Sequence, residues 1–186
     1  MKVINLHQEE KEIIQLAVDN NRFAQQKLYS KFSAKMLSVC RQYIKDIHLA
    51  EDVMITAFMK VFTNLKNFED KGSFEGWIRR IMVNECISYI RVQKQVKFIE
   101  DETYFEESFN NIESQFSVDD IQFLIDGLPD GYKMVFNLYA IEGFKHQEIA
   151  QMLGINEGTS KSQLSHARKM LQAQIAKLKN YNNGTE

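Results

Sequence analysis

The chain has 186 residues, 44% hydrophobic and 26% charged, and its net charge of −2 gives no overall attraction for nucleic acid. It has only 8 glycines and 1 proline, and its apolar residues recur every three or four positions, which predicts an all-α protein with room for two small cores. The chain lacks an apolar run long enough to cross a bilayer and lacks the regions of a signal peptide, so we expect no membrane insertion and a cytoplasmic location.

Helical periodicity predicts eight helices along the chain. They lie at about 8–20, 22–45, 50–67, 74–95, 118–126, 130–142, 146–153 and 157–179. Pro129 comes just before the sixth helix, where proline is tolerated, and Gly143 and Gly154 lie where the sixth and seventh helices end.

The charge is unevenly distributed. No basic residue lies between Lys97 and Lys133, whereas ten acidic residues do, and from 97 to 117 the helical period is lost. We therefore predict two small helical domains, 1–96 and 118–186, joined by an acidic linker over 97–117. The linker is either a solvated tether or a mimic of nucleic acid.

The residue types of an active site do not cluster in the sequence. Cys40 and Cys86 are far apart in helical patterns and are interpreted as buried thiols, and the four histidines are scattered. No nucleophile with its base, metal-ligand cluster or phosphate-binding glycine loop is found. We expect no enzyme activity, no metal and no cofactor.

The third and fourth predicted helices carry two different surfaces. The third has an apolar seam that includes Phe58, with Glu51 and Asp52 outside it. A loop rich in small and aromatic residues follows, and then a helix with Arg80, Asn84 and Arg91 on one stripe. Aromatic residues beside cations suit unstacked bases and phosphates, although Trp77 could equally be core.

The segment "HQEIAQMLGINEGTSKSQLSHARKML" indicates a helix-turn-helix. In its second helix, an apolar seam is formed by Leu164, Ala167, Leu171 and Ile175. A different face carries the small polar and basic residues Thr159, Ser162, His166 and Lys169, flanked by Lys161, Ser165 and Arg168. Such residues reach phosphates and base edges in a major groove, and the alternative is an αα-hairpin with a merely soluble face.

Ser160 projects into the middle of that apolar seam. Either its hydroxyl bonds back to the preceding helical turn, or the helix packs less tightly there. From this we expect a Ser160→Val change to stabilise the C-terminal domain.

Three segments together resemble RNA polymerase sigma factors of the extracytoplasmic-function group of the sigma-70 family. They are "AEDVMITAFMKVF", "GSFEGWIRRIMVNECISYIR" and "LPDGYKMVFNLYAIEGFKHQEIAQMLGINEGTSKSQLSHARKML", and they cover nearly the whole chain in the family's order. The resemblance implies that the first domain is sigma region 2 and the second is sigma region 4. It also implies a transcription initiation factor with core RNA polymerase and promoter DNA as partners, commonly controlled by an anti-sigma protein.

The resemblance implies roles for matching positions. The helix bearing Glu51, Asp52 and Phe58 would dock on the clamp coiled coil of the largest polymerase subunit, and "KMVFNLYAI" would partly serve the polymerase flap. The −10 element would be recognised and opened by Asn67, Phe68, Lys71, Phe74, Trp77, Arg80, Asn84 and Arg91. The −35 element would be read by Thr159, Lys161, Ser162, Ser165, His166, Arg168 and Lys169.

Two departures from the family pattern affect these roles. Ile55 and Thr56 stand where many relatives have Gln-Glu, which removes a charge from the docking face. Gln163 and Ser165 replace basic or bulky residues of the recognition helix, which changes the expected −35 sequence.

Two other functions are compatible with the residues alone. One is a stand-alone helix-turn-helix regulator that binds DNA without polymerase, although such proteins commonly dimerise and no dimer helix is spare here. The other is a helical interaction adaptor whose helix-turn-helix is inert.

Overall fold

The computed structural model describes residues 2–94 and 117–183, which are helical with short connections and contain no strand. The chain divides into two compact units, Met1–Tyr89 and Ile90–Glu186. The α-helices are α1 Lys2–Val18, α2 Arg22–Tyr43, α3 Ile47–Thr63, α4 Phe74–Lys94, α5 Val118–Asp126, α6 Asp130–Phe136, α7 His146–Leu153 and α8 Glu157–Asn183. The predicted all-α class is confirmed.

Side-chain caps set where the helices of the first unit begin. Asn21 accepts a hydrogen bond from the Ala24 N–H at 3.1 Å, which starts α2. Asp46 accepts from the N–H groups of His48 and Leu49 and starts α3. The Leu49 bond is the main reason that the pKa of Asp46 is lowered, because it stabilises the charged carboxylate.

The predicted helix 50–67 is in fact two elements. α3 ends at Thr63, and a 3-10 turn, Leu65–Asn67, follows it. At the boundary, the Lys60 carbonyl accepts two hydrogen bonds from Asn64, one from its backbone N–H at 3.1 Å and one from its side chain at 2.8 Å. Leu65 remains buried, so the turn stays packed on the unit while the chain changes direction.

The core of the first unit is formed by α2, α3 and α4 together. Its largest enclosed side chains include Met36 and Tyr43 of α2, Met54 of α3, and Met82 of α4. Two buried thiols, Cys40 and Cys86, lie among them, which confirms the prediction for both cysteines. A hydrogen bond to Cys40, together with burial, raises the pKa of Cys86, so the Cys86 thiol stays protonated and unreactive.

The second unit is built around α6, α7 and α8. A capping box of Ser117 and Asp120 starts α5, and the Ser117 hydroxyl is the main reason that the pKa of Asp120 is lowered. The bounds of α5 and α7 match the predicted ones. The predicted helix 130–142 instead stops at Phe136 and continues as a π-helical turn, Asn137–Ile141, which ends before Gly143 at φ 76°.

None of the described helices combines the length and apolarity that a membrane span requires.

Candidate nucleic-acid interface

A cleft lies where the 3-10 turn leads through a loop into α4. Its volume is about 400 Å³. The Ser73 hydroxyl accepts a hydrogen bond from the Gly76 N–H at 3.0 Å and fixes the first turn of α4 against the loop. The cleft is lined by Asn67, Phe68, Glu69, Lys71, Gly72, Ser73, Gly76, Trp77 and Arg80.

Five of the eight residues predicted for the −10 element therefore meet at one cleft: Asn67, Phe68, Lys71, Trp77 and Arg80. Lys71 pairs with Glu69 of the same loop, and Asp70 between them has a left-handed φ of 55°. Asn84 and Arg91 are exposed farther along α4 and do not line the cleft.

Three aromatic rings form one wall of this region. Phe68 lies 5.1 Å from Phe74 and 5.6 Å from Trp77, and Phe74 stacks on Trp77 at 5.8 Å between ring centroids. Phe68 and Trp77 are half-buried, whereas Phe74 is only 2% exposed and also meets Phe32 of α2. The prediction that Phe74 is a base-contacting residue is therefore wrong: it is core that supports the two accessible rings.

The helix-turn-helix has the predicted geometry. Ile149, Ala150 and Leu153 of α7 are buried, and Gly154 turns the chain at φ 68°. The Ile155 N–H then donates to the Ala150 carbonyl at 3.0 Å, which closes the turn. In α8, Leu164 and Ala167 of the predicted seam are buried, while Leu171 and Ile175 are half-buried.

The small hydroxyl residues of α8 are not exposed as predicted. Thr159 and Ser165 are buried, and Ser162 is 1% exposed. The N–H and hydroxyl of Thr159 both donate to the Asn156 side chain, at 2.6 and 2.9 Å, so Asn156 is the N-cap of α8. Ser162 donates to the Thr159 carbonyl at 3.1 Å. The hydroxyls of Thr159 and Ser162 are thus already hydrogen-bonded within the first turns of α8 and do not point to solvent.

The larger side chains of the predicted face stay accessible in part. Lys161 forms an ion pair with Glu157 at 2.8 Å, and this hydrogen bond lowers the pKa of Glu157. His166 stacks on Tyr132 at 5.5 Å, and the Arg168 guanidinium lies over the Tyr139 ring at 5.5 Å. Together with Lys169, these side chains are partly open to solvent.

Ser160 has a partner that the sequence did not indicate. It is fully buried, and its hydroxyl lies 2.9 Å from Nδ1 of His146, at the start of α7. The hydroxyl thus bonds across to the neighbouring helix rather than back to the preceding turn. The expected gain from Ser160→Val is accordingly replaced by the opposite expectation, because valine would leave the imidazole without this partner.

The predicted docking helix also needs one correction. Glu51 and Asp52 are exposed on α3, but Phe58 is 2% exposed and packs against Tyr29 at 4.9 Å between ring centroids. Phe58 is therefore core and not a docking residue. Sequence reasoning missed that Ile55 and Met59, one helical turn apart, are 46% and 62% exposed on the same face.

The predicted flap segment is buried along most of its length. Met134, Val135 and Leu138 are enclosed, whereas Tyr139 and Ile141 of the π-helical turn are partly exposed. Only the end of this segment is thus available to a partner.

Comparison with known proteins identifies the family. Residues 28–96 match the model of sigma-70 region 2, and residues 119–171 match that of sigma-70 region 4. The chain belongs to the sigma-70 family. The recognised resemblance is confirmed, and a sigma-70 factor serves transcription initiation.

Similar proteins include extracytoplasmic-function sigma factors. SigV of Bacillus subtilis is 28% identical over 73% of this chain and 81% of its own, and SigM of the same organism is 29% identical over 69% and 81%. SigE of Mycolicibacterium smegmatis is 30% identical over 70% of this chain and 53% of its own.

Solved structures share the fold. The sigma factor RpoE from Bartonella quintana, in complex with the anti-sigma factor NepR, has a TM-score of 0.53 at 22% identity and covers 81% of this chain and 96% of its own. CnrH, in complex with the cytosolic domain of CnrY, has a TM-score of 0.51 at 18% identity and covers 90% and 97%.

Proposed function

We propose that this sigma factor recruits core RNA polymerase, reads the −35 element with α8 and opens the −10 element with the cleft at the start of α4. In this proposal, residues 1–96 act as region 2, 118–186 as region 4, and 97–117 as an acidic linker. The observation that carries it is the cleft, which combines two accessible aromatic rings, an asparagine and two cationic side chains.

The cleft suits an unpaired base. Opening duplex DNA costs about 1–2 kcal/mol per stacked step, and stacking on an aromatic ring returns about 1–3 kcal/mol per base. Phe68 and Trp77 offer ring surface, and Asn67 offers a donor and an acceptor for a base edge. Arg80 and Lys71, the latter paired with Glu69 of the same cleft, place cations where the backbone phosphates of the displaced strand would pass. We place Asn84 and Arg91 on the same DNA path farther along α4.

For the −35 element, we assign first contact to the accessible cations of α8: Lys161, Arg168, Lys169, and also His166. These side chains would bind phosphates and set the register of the helix in the major groove. Thr159, Ser162 and Ser165 are buried in the structure, so base contact by them requires exposure when DNA binds.

Docking on polymerase would use the exposed face of α3. Glu51 and Asp52 supply negative charge, and Ile55 and Met59, one and two helical turns farther along, supply exposed apolar area. The exposed end of the π-helical turn, with Tyr139 and Ile141, would meet the flap.

Control by an anti-sigma protein and action beside polymerase in the cytoplasm are part of the same proposal. The linker would serve as a tether or as a nucleic-acid mimic, and all of it except Ser117 lies outside the described residues.

The deciding experiment is run-off transcription from a genomic promoter library with core polymerase from the source organism, with and without this chain. We expect new start sites that depend on the protein and share two spaced sequence elements. DNA binding without polymerase, together with no initiation, would instead establish a stand-alone helix-turn-helix regulator. Retained partner binding with no DNA contact would establish an interaction adaptor.

A further inference from the structure

Four side chains of the second unit join its three central elements. We call them the His146 cluster: Tyr139 of the π-helical turn, His146 of α7, and Ser160 and Arg168 of α8. Arg168 lies over the Tyr139 ring at 5.5 Å, Tyr139 stacks on His146 at 4.6 Å, and His146 meets the Ser160 hydroxyl at 2.9 Å. The chain of contacts thus begins and ends on the recognition helix.

The π-helical turn brings Tyr139 into this cluster. Its wider winding is closed by the Glu142 N–H donating to the Asn137 carbonyl at 3.0 Å, a five-residue step. Each π turn inserts one extra residue and so rotates the following side chains relative to an α-helix. Tyr139 consequently faces the start of α7, while its neighbour Leu138 stays in the core.

The polar pair fixes the orientation of α8 more sharply than apolar packing does. Ser160 is fully buried in the seam where α8 meets α7, and a buried hydroxyl costs about 1–3 kcal/mol when its bond is lost. A small rotation or slide of α8 would break the bond, whereas apolar side chains in the same seam could repack. The side chains that α8 presents to DNA depend on that rotation.

The electrostatic surroundings favour a neutral imidazole. Burial is the main cause that lowers the pKa of His146, the charges of Lys161 and Arg168 lower it further, and Glu157 opposes them. Because the folded pKa lies below the ordinary value of about 6.5, this contribution to stability is full above that pH and is lost as pH falls through the folded pKa. Protonation would place a third cation beside Lys161 and Arg168.

We propose that His146 is a positioning residue for −35 recognition, which holds α8 in its reading orientation through Ser160 and makes that reading sensitive to pH. The inference rests on the proposed function of α8. The imidazole itself does not touch DNA in this scheme: it acts through the helix to which it is bonded.

The test uses the full chain with core polymerase and a promoter that the wild-type protein selects. Run-off yield is measured from this promoter and from the same promoter with a scrambled −35 element, and the ratio of the two yields reports −35 reading. His146→Leu removes the bond. His146→Asn retains a polar atom near the position of Nδ1 but does not titrate. His48→Asn, at an exposed histidine of α3, is the matched control.

We expect His146→Leu to lower the ratio by about two- to tenfold, as loss of one hydrogen bond implies, both at about pH 7.5 and at a lower pH chosen below the folded pKa of His146. The wild-type ratio should fall at the lower pH, and the His146→Asn ratio should stay high at both. The His48→Asn protein should follow the wild type. An unchanged ratio for a folded His146→Leu protein would overturn the inference, as would a wild-type ratio that is independent of pH.

Two further measurements separate an effect on folding from an effect on function. In the first, denaturant melts give the free energy of unfolding for a double-mutant cycle of His146→Leu and Ser160→Ala, which shows whether the two side chains are coupled in the folded chain. Absence of coupling would overturn the positioning role. If the wild-type chain initiates from no promoter at all, the proposed function itself fails, which is a different result from initiation without His146 dependence.

Discussion

Ser160 lies within the apolar seam of α8 with one polar partner in reach, His146 of the adjacent helix. Ser160→Val would leave the half-buried His146 imidazole partly desolvated and without this partner, which costs stability. We therefore expect Ser160→Val to lower the free energy of unfolding of the second unit by about 1–3 kcal/mol in urea melts.

A matched control is Ser88→Ala in α4. The Ser88 hydroxyl donates to the Asn84 carbonyl of its own helix at 2.9 Å and is exposed, so its removal should cost less than about 0.5 kcal/mol. A higher melting temperature for Ser160→Val than for the wild type would contradict this expectation, because apolar packing would then outweigh the bond to His146.

Lys161 is the accessible cation nearest the start of the recognition helix. Its ammonium is paired with Glu157 but remains partly exposed, so it is available to a phosphate. We expect Lys161→Ala to weaken promoter binding by the polymerase complex and to reduce the salt slope by about one unit, because one phosphate contact disappears.

The measurement is filter binding of the complex to promoter DNA across a series of salt concentrations. Lys27→Ala, an exposed lysine of α2, is the control and should leave both affinity and slope unchanged. If the plot of log affinity against log salt concentration has the same slope for Lys161→Ala as for the wild type, Lys161 does not contact a phosphate.

The three aromatic rings at the start of α4, Phe68, Phe74 and Trp77, have two different roles. Phe68 and Trp77 are accessible at the cleft, while Phe74 is enclosed beneath them. We expect Phe68→Ala and Trp77→Ala to slow opening of the −10 element by about ten- to hundredfold, as loss of about 1–3 kcal/mol of stacking implies. Both proteins should regain activity on a template whose −10 region is already unpaired.

Phe74→Ala provides the contrast within the same element. It removes a buried ring and should destabilise the first unit by about 3–5 kcal/mol, with no rescue by a premelted template. The readouts are thermal melts for stability and permanganate footprints for opening. Rescue of Phe74→Ala by premelted DNA, at unchanged stability, would contradict its assignment to the core.

Element by element, the sequence predicts best where the signals are local. Ser117 caps the start of α5 and Gly154 ends α7, and both act within a few residues of the helix end. The breaks after Thr63 and Phe136 were not predicted, since the apolar period continues through both. There, a side-chain bond from Asn64 and a π turn override the periodicity.

The same rule applies to the two candidate DNA-binding surfaces. Asn67, Phe68, Lys71, Trp77 and Arg80 line one cleft and are close in sequence, so the sequence could group them, while their contact with DNA stays a prediction. The Asn156 cap was missed even though its three-residue spacing to Thr159 is a sequence signal. The bond between His146 and Ser160 joins residues fourteen positions apart and depends on how α7 packs on α8. The helical periodicity of the sequence therefore cannot predict it.

At the scale of the whole molecule, the proposed function requires that polymerase hold the −10 reader and the −35 reader at the same time. Two weak readers gain avidity from a common support, so the docking surface sets the activity of both. On α3, Glu51 and Asp52 provide charge, and Ile55 and Met59 provide exposed apolar area one and two helical turns farther along. The two kinds of residue should contribute differently to assembly.

We expect the double change Ile55→Gln and Met59→Gln to weaken binding to core polymerase by about tenfold at every salt concentration, because it removes apolar area from the contact. The double change Glu51→Gln and Asp52→Asn should weaken binding mainly at low salt, since screening already suppresses exposed charge at high salt. Competition with a labelled wild-type chain for core polymerase measures both effects.

Phe23→Gln, at a 79% exposed phenylalanine of α2, is the apolar control and should compete as the wild type does. Equal loss for Phe23→Gln and the α3 pair would mean that general surface apolarity, rather than α3, governs docking, and full competition by the α3 pair would move the docking surface elsewhere on the chain.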